Sequence, residues 1–246
     1  MSNTLIIIPS RMSAKRLPGK PLLKLNGKSI ITHVLNKAKD CKIGNIMVAT
    51  EDKVILNEVQ NNGFKAVLTS KKHKSGTDRI WEAFQKVRDK KIKYIINLQG
   101  DEPLIDKKDV RNLNQIVKKN KLDISTLAIK IKNKKVLNNK NIVKVKTEKD
   151  LKKIKFSKAL KFFRDCSKQN TINLFQHIGI YQYKMSTLSK YVNLKQSKNE
   201  LKYSLEQYRA IDNNIFIDVV LAKKMSIGID TMDEYVEIKK IMEYKS

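Results

Sequence analysis

Residues 4–22 have the sequence TLIIIPSRMSAKRLPGKPL, in which a short apolar run leads directly into a loop with four cations. The apolar run is typical of a buried strand rather than a signal peptide, because it has no basic leader and no small-residue cleavage site. The loop carries Arg11, Lys15, Arg16 and Lys20. Guanidinium forks and an ammonium bind polyphosphates well, so we predict an anion site here; the alternative is an ordinary basic turn.

This loop differs from a Walker A motif, because Gly19-Lys20 is followed by Pro21 and not by Ser or Thr. Gly19 would let the backbone approach a bound phosphate closely. We therefore predict a phosphate-binding loop of another kind.

Apolar runs and helical patterns alternate through the first half of the chain, which indicates a parallel sheet. We predict an α/β fold with a doubly wound, mostly parallel, Rossmann-like sheet. The predicted strands are Thr4–Pro9, Ile46–Thr50, Ala66–Leu68 and Tyr94–Leu98, and the predicted helices are Ile30–Lys39, Lys53–Asn61 and Arg79–Arg88.

The pattern changes at about residue 123, where strand-like segments and lysine-rich turns follow. We interpret 1–246 as one domain with a smaller inserted α+β subdomain at about 123–185. Later segments predict one helix at Lys202–Ile211, a strand at Ser226–Asp230 and a final helix from Met232.

Two acidic residues follow predicted strands. Asp101 lies in the segment Asn97–Pro103, and Asp230 lies in Gly228–Thr231. Ligands of open α/β sheets bind at the carboxyl ends of strands, so the pair could share a magnesium ion. The alternative is that each aspartate caps the helix that follows it.

A third motif, His73–Arg79, precedes a predicted helix. Ser75 and Thr77 could cap that helix, which is at least as well supported as contact with a ligand. Backbone groups near Gly76 could also contact the edge of a base.

The formal net charge of +28 invites a nucleic-acid interpretation, but only seven of the 52 basic residues are arginines. Specific nucleic-acid binding uses arginine forks and interleaved aromatic side chains. Dispersed lysines beside Asn and Ile favour a general compositional bias, with non-specific adhesion to polyanions at low salt. Two distant cysteines and no long apolar run predict a globular, cytoplasmic protein without membrane insertion.

Six motifs in this order, RMSAKRLPGKPL, HKSGTDR, LQGDEP, HIGIY, LEQYR and GIDT, resemble the 3-deoxy-manno-octulosonate cytidylyltransferase (CMP-KDO synthetase) family of nucleotidyltransferases. The resemblance covers essentially the whole chain. It implies transfer of CMP from CTP to the anomeric 2-hydroxyl of 3-deoxy-manno-octulosonate (KDO) for lipopolysaccharide synthesis, with release of pyrophosphate. It also implies a Mg²⁺ cofactor and a homodimer that forms through the inserted subdomain.

The resemblance assigns roles to individual residues. Catalysis and triphosphate binding are assigned to Arg11, Arg16 and Lys20. CTP binding is assigned to Arg11, Lys20, Ser75, Gly76, Arg79 and Gln99. Metal binding is assigned to Asp101 and Asp230. Sugar binding is assigned to Gln99, Lys158, His177, Tyr181, Glu206 and Gln207. His177 and Tyr181, four apart in a strand, are expected on one side of it; a buried histidine with only a packing role is the alternative for His177.

Lys158 stands where the family has an arginine that is implied to bind the sugar's carboxylate. Lysine can neutralise a carboxylate but cannot fork onto it. Hence 8-amino KDO or a sialic-like acid stays an alternative substrate, although GDEP resembles the KDO branch and GDQP the amino-sugar branch. A nucleotide sensor and a polyanion-binding protein are the alternatives of another class.

Overall fold

A computed structural model of the chain describes residues 2–14, 16–166 and 170–243. The strands are β1 (Thr4–Ser10), β2 (Lys24–Leu25), β3 (Lys28–Ser29), β4 (Asn45–Thr50), β5 (Lys65–Leu68), β6 (Tyr94–Asn97), β7 (Ile124–Lys130), β8 (Lys144–Thr147), β9 (Phe156–Phe163), β10 (Leu174–Lys184) and β11 (Ile217–Leu221). The helices are α1 (Ile30–Asp40), α2 (Lys53–Asn61), α3 (Gly76–Val87), α4 (Lys107–Asn120), α5 (Lys135–Asn138), α6 (Met185–Val192), α7 (Lys198–Tyr203), α8 (Tyr208–Ile211) and α9 (Met232–Glu243).

The chain forms two compact units. The first comprises the residues up to Lys108 together with those from Met225 onward, and the second comprises Asp109–Lys224. Segment 123–185, for which we predicted an inserted subdomain, lies within the second unit; its role in sugar contacts and dimerisation stays a prediction.

The first unit is built on four parallel strands in the order β5-β4-β1-β6. In the central strand β1, Ile7 pairs with Met47 of β4 on one side and with Asn97 of β6 on the other. Leu5, Ile6, Ile7 and Ile8 are all buried, as expected for a parallel strand covered on both faces. The carboxyl ends of these strands meet at one edge, which is where the candidate site lies.

The second unit is built on five strands in the order β10-β7-β11-β9-β8. Strands β7 and β11 run parallel, and the other pairings are antiparallel. Strand β8 pairs with β10 as well as with β9, so the two edges of this sheet meet. The predicted α/β class is therefore confirmed, with a fully parallel sheet in the first unit and a mixed sheet in the second.

Two predicted elements differ from the structure, and one long helix of the structure was not predicted. The single helix predicted at Lys202–Ile211 is wrong, because Ser204 adopts a left-handed conformation (φ 50°) that ends α7 before α8 begins. The strand predicted at Ser226–Asp230 is wrong, since that segment has no regular secondary structure. Helix α4 was not predicted, because lysines and asparagines surround its buried apolar positions.

None of the helices within residues 2–14, 16–166 and 170–243 is both long enough and apolar enough to cross a membrane.

Gly44, just before β4, has no room for a side chain. A Cβ atom there would lie 2.0 Å from the carbonyl oxygen of Thr4. We expect Gly44→Ala to lower the free energy of unfolding by about 1–3 kcal/mol, because backbone must move to admit the methyl group. Urea denaturation measures this. Val87→Ala, at an exposed position, should change that energy by less than about 0.5 kcal/mol. Equal midpoints for the two variants would contradict the prediction.

Candidate active site

A cavity of about 390 Å³ lies at the carboxyl ends of the parallel strands of the first unit. It is bounded by the loop after β1, the segment after β6 and the beginning of α3. All nine residues of the first unit that the sequence assigned to a site line this cavity: Arg11, Arg16, Lys20, Ser75, Gly76, Arg79, Gln99, Asp101 and Asp230. Four motifs that are distant in sequence therefore meet in one place.

The loop after β1 is folded back on itself around Met12. The Met12 carbonyl accepts hydrogen bonds from the N–H groups of Ala14 (2.9 Å) and Gly19 (3.1 Å). Gly19 has φ 73°, a left-handed conformation in which glycine is favoured, and it precedes a short 3₁₀ helix at Lys20–Leu22. The fourth cation of this loop, Lys15, lies outside the described residues.

Lys20 joins the two predicted metal ligands. Its ammonium lies 2.7 Å from Oδ2 of Asp101 and 3.1 Å from Oδ1 of Asp230. Arg16 contacts the other oxygen of Asp230 at 2.7 Å. Burial alone would lower the pKa of Lys20, but the charges and hydrogen bonds of Asp101 and Asp230 outweigh burial and raise it. Lys20 is therefore a cation held between two carboxylates.

Glu102, which the sequence analysis did not single out, lies beside this cluster and is buried. Its Oε2 accepts a hydrogen bond of 2.7 Å from the Ser226 hydroxyl. Burial, and secondarily the charge of Asp101, raises the pKa of Glu102 to about 7. The only sequence signal for it was its place in the QGDEP motif.

The beginning of α3 forms another wall of the cavity. The Ser75 hydroxyl accepts a hydrogen bond of 3.1 Å from the Asp78 N–H, so Ser75 caps this helix. It also donates to the Asp78 carboxylate at 2.8 Å. The capping alternative is therefore observed for Ser75, while both Ser75 and Gly76 still face the cavity.

Arg79 is deeply buried and its guanidinium is already engaged by protein groups. One Nη donates to the Thr69 hydroxyl at 2.7 Å, and the other contacts the Glu51 carboxylate. Arg79 thus connects α3 with the segments that follow β4 and β5. Its predicted contact with CTP stays a prediction, and Glu51 is a partner that sequence analysis missed.

Glu82 on α3 holds the segment before His73 against the helix. Its carboxylate accepts from the Ser70 N–H at 2.9 Å, contacts His73, and pairs with Lys86 at 2.8 Å. Burial alone would raise the pKa of Glu82, but the hydrogen bonds from Lys86, Ser70 and His73 outweigh it and lower that pKa to about 2.

In the second unit, the structure brings His177 and Tyr181 together. Their ring centroids are 5.4 Å apart, although the pairing of β10 with β7 shifts register between Ile178 and Tyr181. The prediction that they share a side of the strand is confirmed. The irregularity adds two residues to β10, and an even number leaves the alternation of side chains between the two faces unchanged. Nε2 of His177 lies 2.9 Å from the Thr126 hydroxyl, and burial lowers the pKa of His177 to about 3. This imidazole is neutral at physiological pH.

Glu206 lies close enough to Tyr181 for its charge to act on that side chain. Burial, then the charges of Tyr183 and Glu206, raises the pKa of Tyr181 well above its usual range. The Tyr191 hydroxyl donates to the Glu206 carbonyl at 2.8 Å. Gln207, the next residue, is buried at the beginning of α8.

A buried ion pair fixes the segment between α7 and α8 that carries these residues. Arg209 forks onto the Glu200 carboxylate, with Nε and Nη2 at 2.9 and 2.6 Å from its two oxygens. This ion pair joins α7, which contains Glu200, to α8, which contains Arg209.

Lys158 lies on the other face of this sheet. In the strand register, Lys158 of β9 lies opposite Asp218 of β11, and Asp218 lies opposite Ser125 of β7. Thr126, the residue after Ser125, contacts His177. Because cross-strand neighbours share a face, Lys158 and His177 lie on opposite faces. The Lys158 ammonium lies 3.9 Å from the centroid of the exposed Phe216 ring. Only the register, and not the sequence, reveals this separation.

The comparisons with known proteins agree with this fold and place the chain among the nucleotidyltransferases. The cytidylyltransferase family model matches residues 5–226. A 3-deoxy-manno-octulosonate cytidylyltransferase of Thermodesulfovibrio yellowstonii is 41% identical, with 97% of this chain and 98% of that protein covered. One of Afipia carboxidovorans is 36% identical, with 98% and 97% covered.

The solved structures include CMP:2-keto-3-deoxy-manno-octonic acid synthetase complexed with CTP, which is 33% identical, covers both chains fully and gives a TM-score of 0.89. A UDP-glucose pyrophosphorylase, 12% identical with a TM-score of 0.72, shares the fold. The chain belongs to the cytidylyltransferase family, and its full-length relatives are 3-deoxy-manno-octulosonate cytidylyltransferases. The resemblance inferred from the six motifs is thereby confirmed.

The low pKa of Glu82 predicts a pH-dependent contribution to stability. A carboxyl with a lowered pKa in the folded state stabilises the fold above its unfolded pKa and loses this effect as the pH falls towards 2. Glu82→Gln should therefore lower the free energy of unfolding at pH 7 by about 1–2 kcal/mol, a value reduced for partial exposure. The difference from wild type should shrink between pH 4.5 and 2, as measured by urea denaturation across pH. The exposed Glu237→Gln is the control; a difference for Glu82→Gln that stays constant with pH would sink the prediction.

Proposed function

We propose that this chain transfers CMP from CTP to the anomeric 2-hydroxyl of KDO and releases pyrophosphate. The observation that carries the proposal is the convergence of the cationic loop, the two strand-end carboxylates and the beginning of α3 on one cavity. The full-length relatives with this activity in their names support it. The CTP-bound structure at 33% identity supports CTP as the nucleotide.

The chain's own residues supply charge neutralisation and positioning. The sugar hydroxyl attacks the α-phosphorus in line with the departing pyrophosphate, so negative charge increases on the leaving group. Arg11, Arg16 and Lys20 face the cavity and bind that charge. No covalent intermediate is part of this scheme, because the sequence of the cationic loop, Pro9–Leu22, contains no His or Cys.

We propose Mg²⁺ as the cofactor, held by Asp101 and Asp230. The donor set fits this ion, since both are carboxylates with hard oxygens and both contact one cation, Lys20. Within the described residues there is no group of three or more His, Cys, Asp or Glu around one point, so the remaining ligands would be phosphate oxygens and water. Bound Mg²⁺ would neutralise phosphate charge and lower the pKa of the attacking hydroxyl.

For the sugar acid, we propose contacts from Gln99, His177, Tyr181, Glu206 and Gln207. The neutral His177 and the polar groups near Tyr181 suit hydroxyl groups of a sugar. Lys158 is retained as a candidate for the carboxylate, and its place on the opposite face from His177 makes it the least supported of these assignments. The GDEP motif favours KDO over 8-amino KDO.

A homodimer, formed through segment 123–185, and a place in the cytoplasm complete the proposal. The exposed Leu160 and Ile172 of that segment are suited to burial against a second copy. The cytoplasm is where CTP is made. Lipopolysaccharide synthesis is the process that we propose the product serves.

Lys20 and Mg²⁺ should compete for the two carboxylates. We expect Lys20→Met to lower the free energy of unfolding by about 1–2 kcal/mol in the presence of a chelator, because the partly buried carboxylates of Asp101 and Asp230 lose a shared counterion. Excess Mg²⁺ should then raise the melting temperature of Lys20→Met more than that of wild type. Lys24→Met, at an exposed position, is the matched control. Equal Mg²⁺ effects on all three proteins would argue against a metal site at Asp101 and Asp230.

The proposed reaction is tested by pyrophosphate release from CTP and Mg²⁺ with KDO, 8-amino KDO or N-acetylneuraminate. We expect release with KDO only. Asp101→Asn should reduce kcat by about 10²–10³-fold, the effect of removing one group that stabilises the transition state, while CTP still binds. Release with another sugar acid would change the substrate and keep the reaction. No release with any of them, with CTP bound, would favour a nucleotide sensor.

A further inference from the structure

Asp52 stands at a position where aspartate ordinarily caps a helix, but it does not cap this one. It immediately precedes α2, and its side chain makes no hydrogen bond to the first turn of that helix. Instead, its Oδ2 accepts a hydrogen bond of 2.8 Å from the N–H of Met12, forty residues earlier. The N–H of Asp52 is itself held by the Thr50 hydroxyl at 3.1 Å. Asp52 therefore bonds to the cationic loop and does not stabilise α2 as a cap.

Met12 is the residue that organises this loop. Its N–H is bound by Asp52, and its carbonyl binds the N–H of Gly19 at 3.1 Å. Gly19 is the left-handed residue that directs the chain into Lys20. A continuous series of bonds thus leads from the end of β4, through Asp52, Met12 and Gly19, to the ammonium between the two carboxylates.

The neighbouring acid has a different task. The Glu51 carboxylate contacts the buried Arg79, so its charge is matched locally. Its bond to the loop, from the Ser13 hydroxyl, is long at 3.4 Å. Asp52 is therefore the better placed of the two acids to hold the loop backbone.

We propose that Asp52 is a positioning residue for nucleotide binding, which fixes Met12 and thereby the conformation of the loop that presents Arg16 and Lys20. Asp52 is not among the residues that line the described cavity, so it acts through the loop and not by touching the ligand. This proposal rests on the proposed function in taking CTP as the ligand of that loop.

Two substitutions separate the loop contact from any effect on α2. Asp52→Ser supplies a good cap for α2 but is too short to reach Met12. Its dissociation constant for CTP, from calorimetry, should rise about 10-fold, the effect of losing a charge-assisted hydrogen bond, while its melting temperature stays equal or rises. The KM for CTP should rise in parallel, with the KM for KDO changed by less than about twofold. Asp52→Asn keeps an acceptor oxygen at the same reach and should bind CTP within about threefold of wild type.

Ser29→Ala is the matched control, because Ser29 does cap a helix, accepting from the Thr32 N–H at 3.3 Å, and does not line the cavity. It should lower the melting temperature by about 2–4 °C without changing the dissociation constant for CTP. Unchanged CTP binding in Asp52→Ser would overturn the proposal, as would a loss of binding that Asp52→Asn does not restore. Since calorimetry needs no sugar, a wild type that binds CTP without using KDO would refute only the proposed substrate. A wild type that does not bind CTP would overturn both proposals.

Discussion

The ammonium of Lys20 lies between the carboxylates of Asp101 and Asp230, and much of the first unit serves to bring these three groups together. They come from the loop after β1, the segment after β6 and the segment before α9. Without a cation, two carboxylates this close in a partly buried place would repel each other strongly. Lys20 removes that repulsion in the free protein. The cluster therefore keeps a cation-binding geometry before any ligand arrives.

Around this cluster, acidic side chains hold two arginines of the cavity and the backbone of the cationic loop. Arg16 is held by Asp230, Arg79 by Glu51, and the loop backbone by Asp52. Each of these contacts orders a flexible side chain or loop in advance, so that less conformational entropy is lost when a polyphosphate binds. The overall charge of +28 would attract any polyanion, whereas under the proposed function the local pairing of cations with acids would determine where a triphosphate is held.

The place of the cavity could be predicted from the sequence because parallel strands bring their carboxyl ends to one edge, whereas Arg79 and Gln99 were assigned from the resemblance to the family. Sequence reasoning missed Asp52 and Glu82, because an acid before or within a helix is equally typical of a cap or a solvated face. It missed α4 because Val110, Leu113 and Val117 are separated by polar residues whose exposure the sequence does not state. The face on which Lys158 lies depended on strand register, which a single sequence does not specify when a strand contains irregularities.

The buried carboxyl of Glu102 shows how the same cluster constrains its surroundings. Its neighbour Asp101 contacts Lys20, whereas Glu102 accepts a hydrogen bond from the Ser226 hydroxyl, so the two adjacent carboxyls have different partners although burial raises the pKa of both. Because burial and the charge of Asp101 raise the pKa of Glu102 to about 7, adding a full negative charge there is costly near neutral pH. The site therefore holds two carboxylates around one cation and a third carboxyl whose charge is disfavoured. Under the proposed function, such an arrangement would limit the negative charge that an incoming triphosphate meets beside the two proposed metal ligands.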